Sequence, residues 1–155
     1  MAVCDSEKSA GKDVVVEYAV ACGDVNPNTL TFLPIGAMRG KALSTTLDTI
    51  DVTADDSVGA FRETLTTFKN MTFTGDGISR KTDGATSNQV ALYTYVLTDE
   101  NPVAWFRFTF KDLTITAFMV ITAFDREAPY DDAITFSLEA TVTASDFGVI
   151  VEVTP

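Results

Sequence analysis

Leu113-Thr-Ile-Thr-Ala-Phe-Met-Val-Ile-Thr-Ala-Phe-Asp125 decides the fold. Leu113, Ile115, Ala117, Met119 and Ile121 alternate with Thr114, Thr116, Phe118, Val120 and Thr122, and a period of two means a strand with two different faces. Just upstream, Val103–Lys111 sets Phe106, Phe108 and Phe110 against Trp105, Arg107 and Thr109, and Asp112 makes a tight corner between the two runs. Just downstream, Asp131–Ser145 sets Ile134, Phe136, Leu138, Ala140 and Val142 against Thr135, Ser137, Glu139, Thr141 and Thr143. A turn at Asp146-Phe-Gly148 leads to a last strand, Val149–Thr154. Thirteen residues at ~3.3 Å each reach roughly 43 Å, well past the usual strand. Long strands leave long edges, which must close within one chain or with neighbouring copies. A Thr/Ser/Glu face suits a barrel whose lumen holds water.

Toward the N-terminus the pattern weakens. Val14–Cys22 reads as a strand ended by Gly23-Asp24 and Asn26-Pro27-Asn28. In Thr29–Gly36, Pro34 restricts the segment to a sheet edge or bulge. Residues 41–53 suit a strand running into the acidic loop Ala54-Asp-Asp-Ser57. Phe61, Leu65 and Phe68 stand at helical spacing and predict a short helix or turn. Asn70–Thr74 alternates as a strand and closes on Gly75-Asp76-Gly77, read as a turn, as is Lys81–Gly84. One helix follows. Thr86-Ser-Asn-Gln89 has the form of a capping box with Thr86 at the N-cap, Val90, Tyr93 and Leu97 share a face, and Asp99-Glu-Asn-Pro102 stops it. The expected fold is therefore mostly β with one flanking α-helix: an antiparallel β-sandwich or barrel in one domain, residues 1–155, with 1–13 as a loose N-terminal arm.

Composition narrows the function. The chain of 155 residues is 46% hydrophobic and 21% charged, which suits a packed domain rather than disorder. No apolar run reaches the ~20 residues of a membrane helix, and the first residues lack the basic start and apolar stretch of a signal peptide. Two cysteines, Cys4 and Cys22, are too few for a disulfide framework. Histidine is absent, which removes the commonest general base, the Ser–His and Cys–His pairs and most zinc sites. Net charge is −11, and the surplus is uneven: residues 1–98 hold 12 acids and 8 bases, residues 99–155 hold 10 acids and 3 bases. Such a surface repels nucleic acid, and Lys8, Lys12, Arg39 and Lys41 are scattered rather than clustered.

The remaining motifs carry no chemistry. Asp55-Asp-Ser57 and Tyr130-Asp-Asp132 lack the ligand spacing of a calcium loop. The glycines of 75–77 and 81–84 lack the strand–loop–helix order of a phosphate site. Asn70-Met-Thr72 matches a glycosylation sequon without a secretory signal. The expectation is no enzyme, no cofactor and no metal.

The order of features is more specific than any single motif. Leu47-Asp-Thr-Ile-Asp-Val-Thr-Ala-Asp-Asp-Ser-Val-Gly-Ala-Phe-Arg-Glu-Thr-Leu65, then Asn70-Met-Thr-Phe-Thr-Gly-Asp-Gly-Ile78, a helix, long antiparallel strands and Thr135-Phe-Ser-Leu138 together resemble the major tail tube protein of long, non-contractile-tailed bacteriophages. The resemblance runs from about Val14 onward. It implies a virion subunit, made in the host cytoplasm, that forms hexameric rings sharing one inner barrel. Those rings stack into a tube through which genomic DNA passes without specific binding. It further implies tape measure, tail terminator and distal tail proteins as partners. Glu139, with Glu17 and Asp112, is the expected set of lumen-facing acids. Ile50, Val52, Asp55 and Asp56 are expected to contact the next ring. Rival readings are a hexameric tube protein of a contractile or secretion system, or, in another class, a secreted β-sandwich that binds glycans or receptors.

Overall fold

The computed structural model describes residues 10–36, 38–55, 58–59, 61–79 and 84–154, with helix side chains described from Asn88 on. Its elements are β1 (Val15–Ala19), β2 (Leu33–Pro34), β3 (Met38–Asp51), β4 (Thr64–Ile78), α1 (Gly84–Thr98), β5 (Val103–Thr109), β6 (Leu113–Glu127), β7 (Thr135–Val142) and β8 (Ile150–Val153). They form one antiparallel sheet in the order β2-β1-β5-β6-β7-β4-β3, with β8 also pairing β6. Strand β6 organises it: one edge takes β5 along Thr114–Val120, and the other takes β8 along Leu113–Thr116 and then β7 along Met119–Glu127.

The sheet curls on itself. Strands β4 and β5 are three steps apart, roughly 14 Å along a flat sheet at ~4.8 Å per step. Yet the rings of Phe73 on β4 and Phe108 on β5 lie 4.8 Å apart. The inner face of the curl holds the core, with Val16, Tyr18, Phe73, Ala104, Phe106, Phe108, Met119, Phe136 and Leu138 all buried. At about 1.5–3 kcal/mol for each large side chain, this burial supplies most of the stabilisation. Among the described residues no ladder joins β3 to β1, so the curl is not closed. Lys41 of β3 spans that seam, its Nζ donating to the carbonyls of Gly11, at 3.3 Å, and Val14. A second cluster on the outer face joins Trp105 to Phe118 at 5.3 Å, and Trp105 Nε1 donates to the Cys22 carbonyl at 3.1 Å.

Helix α1 lies over the core. Tyr18 Oη donates to the Asn88 carbonyl at 2.7 Å, Asn88 Nδ2 donates to Pro34 O at 3.1 Å, and Tyr95 Oη donates to Val103 O at 3.0 Å. The helix begins at Gly84, so Thr86 lies inside it rather than at its N-cap. Gln89 does not cap it either: its Nε2 donates to the Gly36 carbonyl across the core. The buried face is Gln89 and Leu92, with Tyr95 and Val96 packed beside them, while Val90 and Leu97 are exposed.

Two further expectations fail on β4. Leu65 and Phe68 belong to the strand and not to a helix. Gly75-Asp76-Gly77 continues the same strand and pairs with Leu138, Ser137 and Phe136. A Cβ at Gly75 would run into Met38 Cε and the Phe73 ring, so glycine there marks close packing rather than a turn. Lys81–Asp83 and Cys4 lie outside the described residues. Pro34 does sit on the edge strand β2, and the alternating runs around β5, β6 and β7 place their apolar members inward as expected.

Candidate functional site

Four strands in the order β3-β4-β7-β6 turn a polar panel away from the core. Direct cross-strand partners share a face, so the registers lay the panel out in rows. Ala42, Thr74, Glu139 and Ala123 form one row, and Gly40, Asp76, Ser137 and Asp125 the next. Thr135 stands beside Ile78 and Glu127 above them, and Thr141 beside Thr72 and Val120 below. The alternation of β7 dictates this: Phe136, Leu138 and Ala140 are buried inward, which leaves Ser137 and Glu139 exposed outward. Asp76, Asp125, Glu127 and Glu139 thus share one surface. Among the described residues no lysine or arginine alternates onto it. Lys41 and Arg39 instead line a cavity of about 310 Å³ on the inner side, against Val16, Phe73 and Phe108.

A bulge between Ile121 and Ala123 makes the panel possible. Without it, period two would keep the residue opposite Glu139 in step with Val120 and turn Phe124 outward. With it, Phe124 and Arg126 point to the helix side, where Arg126 donates to Ser79 Oγ at 2.8 Å and lies 5.3 Å from the Tyr93 ring centre.

Both edges of this four-strand section are open. Among the described residues strand β3 pairs only with β4, over its whole length. On the β5 side the ladder stops at Val103, Ile121 N donates to Pro102 O at 2.9 Å, and beyond that no strand lies beside β6 among the described residues. Each step of the sheet is antiparallel, so β3 and β6 run in opposite directions at the two margins.

The lower half of the β3–β4 hairpin leaves the body. Thr72 is the last β4 residue paired with β7, so Thr64–Met71 project about 26 Å at ~3.3 Å per residue, held by β3 alone. Leu47, Ile50, Leu65 and Phe68 are all at least half exposed there, and Phe61 at the tip is 85% exposed. Ile50 stands opposite Leu65. The hairpin's neck is pinned: Asp51 Oδ1 accepts from Thr53 N at 2.9 Å and from Thr53 Oγ1 at 2.6 Å, and Glu63 N donates to Thr53 Oγ1 at 2.8 Å. Those two bonds hold the Asp51 carboxyl below the usual carboxylate range.

The expected site residues that are described fall in four places. Glu139 lies mid-panel, where Asp76, Asp125 and Glu127 join it; cross-strand register is the signal that finds them, and it is invisible before pairing is known. Glu17 sits on β1 beside Arg107 and Pro34, and Asp112 is at the β5–β6 corner, its carbonyl accepting from Thr154 N at 2.7 Å; the fold does not bring either to the panel. Ile50, Val52 and Asp55 lie on the projecting hairpin, and Asp56 is outside the described residues. Among the described residues no group of three or more His, Cys, Asp or Glu side chains could hold a metal ion.

A family model described as a phage tail tube protein matches residues 8–145. No curated protein matches. Three of the solved structures that share the fold show the range. The tail of an empty gene transfer agent particle, refined helically with C6 symmetry, is 19% identical with a TM-score of 0.68, over 96% of this chain and 100% of that one. The SPP1 tail tube is 12% identical with a TM-score of 0.63, over 94% and 79%. A chain of the anti-feeding prophage baseplate is 10% identical with a TM-score of 0.60, over 96% and 97%.

Proposed function

The chain belongs to the phage tail tube protein family and is a structural component of a virion tail, and from that premise we propose how its sheet builds the tube. The β3 edge of one copy pairs with the open Thr122–Glu127 edge of β6 in the next. The opposite strand directions make this an antiparallel pair, and repetition around a ring closes one continuous inner barrel. The sixfold symmetry of the gene transfer agent tail supports six copies. Closure removes both open edges at once, which is the remedy an exposed edge calls for. The observation that carries the reading is a four-strand section with two unpaired margins and one face whose charged residues, among those described, are all acidic.

That face becomes the wall of the lumen. Glu139, Asp76, Asp125 and Glu127 turn toward passing DNA, whose phosphates gain no counterion release from an acidic surface. The DNA therefore slides without adhering. This assigns the lumen role to Glu139 among the three acids expected from sequence, with Glu17 and Asp112 off the panel. The hairpin bearing Ile50, Val52, Asp55, Leu65 and Phe68 reaches the adjacent ring, where its apolar residues are covered. The chain performs no chemistry in this role. Negative-stain imaging of the purified protein tests the reading: rings or tubes of uniform bore are expected, and a persistent monomer at every concentration and salt would refute it.

A further inference from the structure

The two ends of β6 carry complementary features. At its start, an open groove of about 490 Å³ runs between β8 and the root of the β3–β4 hairpin, lined by Leu43, Met71, Phe110, Ile115, Val149 and Val151 among others. Val149 and Val151 remain 40% and 55% exposed, so the isolated subunit leaves this apolar floor uncovered. Just past the other end of β6, the turn into β7 presents Tyr130, whose side chain is wholly exposed. Fifteen residues of strand, about 50 Å at ~3.3 Å each, separate groove from turn. A head-to-tail stack brings the top of one copy to the bottom of the next, and such heterologous contacts generate filaments.

We propose that Tyr130 is a stacking knob, seated in the groove between β8 and the hairpin root of a second copy in the adjacent ring. The proposal rests on the tube reading above and names the contact that holds its rings together. A tyrosine suits the socket because its ring covers the apolar floor while its hydroxyl stays at the polar rim, where Thr45 and Asp112 lie. Asp131 and Asp132 follow the knob directly, and Lys69, one step beyond Met71 on the same face of β4, offers them a cation beside the groove. The projecting hairpin then flanks the seated turn and shields its own apolar residues in the same step.

The test uses full-length protein with Cys4→Ser and Cys22→Ser as background. One preparation carries Tyr130→Cys, a second Val151→Cys, and the two are mixed before assembly and oxidised. Disulfide-linked dimers are expected in the mixture once tubes form and in neither preparation alone. If Val151→Cys instead links to a preparation carrying Phe61→Cys, the hairpin tip occupies the groove and the proposal is overturned. In parallel, Tyr130→Ala is expected to form rings normally but to need at least about tenfold more protein to stack, as loss of a hot-spot aromatic does, while Tyr130→Phe stacks normally. Tubes of Tyr130→Ala at the wild-type concentration refute the knob and leave the ring reading intact. Wild-type protein that never forms rings refutes both.

Discussion

Replacing Glu139 with lysine tests the lumen assignment most sharply, because the subunit itself is expected to tolerate it. Glu139 is exposed, with Thr74 and Ala123 as direct neighbours, so a longer side chain has room. Asp76 and Asp125 stand on the diagonals, about 7 Å away. At that distance in water a unit charge pair is worth roughly 0.6 kcal/mol before screening, and a Debye length of about 8 Å at physiological salt removes more than half of it. Reversing the charge turns two screened repulsions of about 0.25 kcal/mol into attractions, so subunit stability should rise by about 1 kcal/mol at most and not fall.

The lumen responds very differently. Each copy gains a cation where it had an anion, and a sixfold ring multiplies the change by six. If each new lysine meets a phosphate, the dependence of DNA affinity on salt steepens by a log–log slope of about 5 per ring. Between 200 and 50 mM salt that is roughly a thousandfold, less what the three remaining acids per subunit take back. Co-sedimentation of a short labelled duplex with assembled tubes reads this directly. Wild-type tubes should carry down no duplex at either salt, Glu139→Lys tubes should retain it at 50 mM and shed it at 200 mM, and Glu139→Gln should fall between. Glu139→Lys tubes that retain nothing at 50 mM would show that this face does not line the bore.

Three other outcomes follow from the packing. Phe73→Ala removes the ring that meets Phe106 and Phe108 where the sheet curls over, and should cost about 3–5 kcal/mol in chemical denaturation. Tyr18→Phe deletes the bond to the Asn88 carbonyl and should cost about 1 kcal/mol. Burial raises the Tyr18 pKa above its ordinary value, so the neutral form is the folded one; its contribution is complete below about pH 10 and is lost as pH rises through the folded value, which alkaline unfolding of wild type against Tyr18→Phe will report. Replacing residues 52–63 by a two-residue turn should leave the fold and lateral rings intact by circular dichroism and imaging, yet abolish tubes. Unchanged tube length would remove the hairpin from ring stacking.

Legibility in the sequence followed burial. Along β7 one face is packed and the other open, and along β5 the inward positions are apolar throughout, so alternation writes itself into Phe106, Phe108, Phe136 and Leu138. The lower half of β4 has neither face buried within its own subunit, so nothing enforces a period of two there. Leu65 and Phe68 are exposed in the subunit, and their spacing imitates a helix by accident. Glycines mislead for a related reason. Gly75 is a strand residue chosen for the space it leaves to Met38 and Phe73, while Gly148, with φ +63°, is a true turn glycine; the letters alone do not distinguish them. On helix α1 the apolar residues Val90, Leu92, Tyr93, Val96 and Leu97 span an arc wider than the buried face. Its facing is set by the Tyr18–Asn88 and Tyr95–Val103 hydrogen bonds rather than by any stripe. Only Glu139 of the four panel acids was legible, because the other three reach the face through a bulge and a register.

A subunit with two open edges must join its correct partner without joining everything else, and the same features serve both ends. The β3 edge is bulged near Met38 and Gly40, and the β3–β4 ladder slips again between Leu47 and Thr49. The β6 edge begins beside the bulge at Thr122, whose hydroxyl donates to the Glu139 carbonyl at 3.2 Å. Bulges bend and twist an edge, so a flat stack of strands in arbitrary register is disfavoured. A mating edge of matching curvature is not excluded by them. The acidic panel adds a second restraint, since face-to-face association of two panels would bring eight carboxylates together with no cation between them. In the proposed ring the panels would diverge across an aqueous bore, where water and counterions screen them, so the charge proposed to let DNA pass would also disfavour panel-to-panel stacking of open sheets.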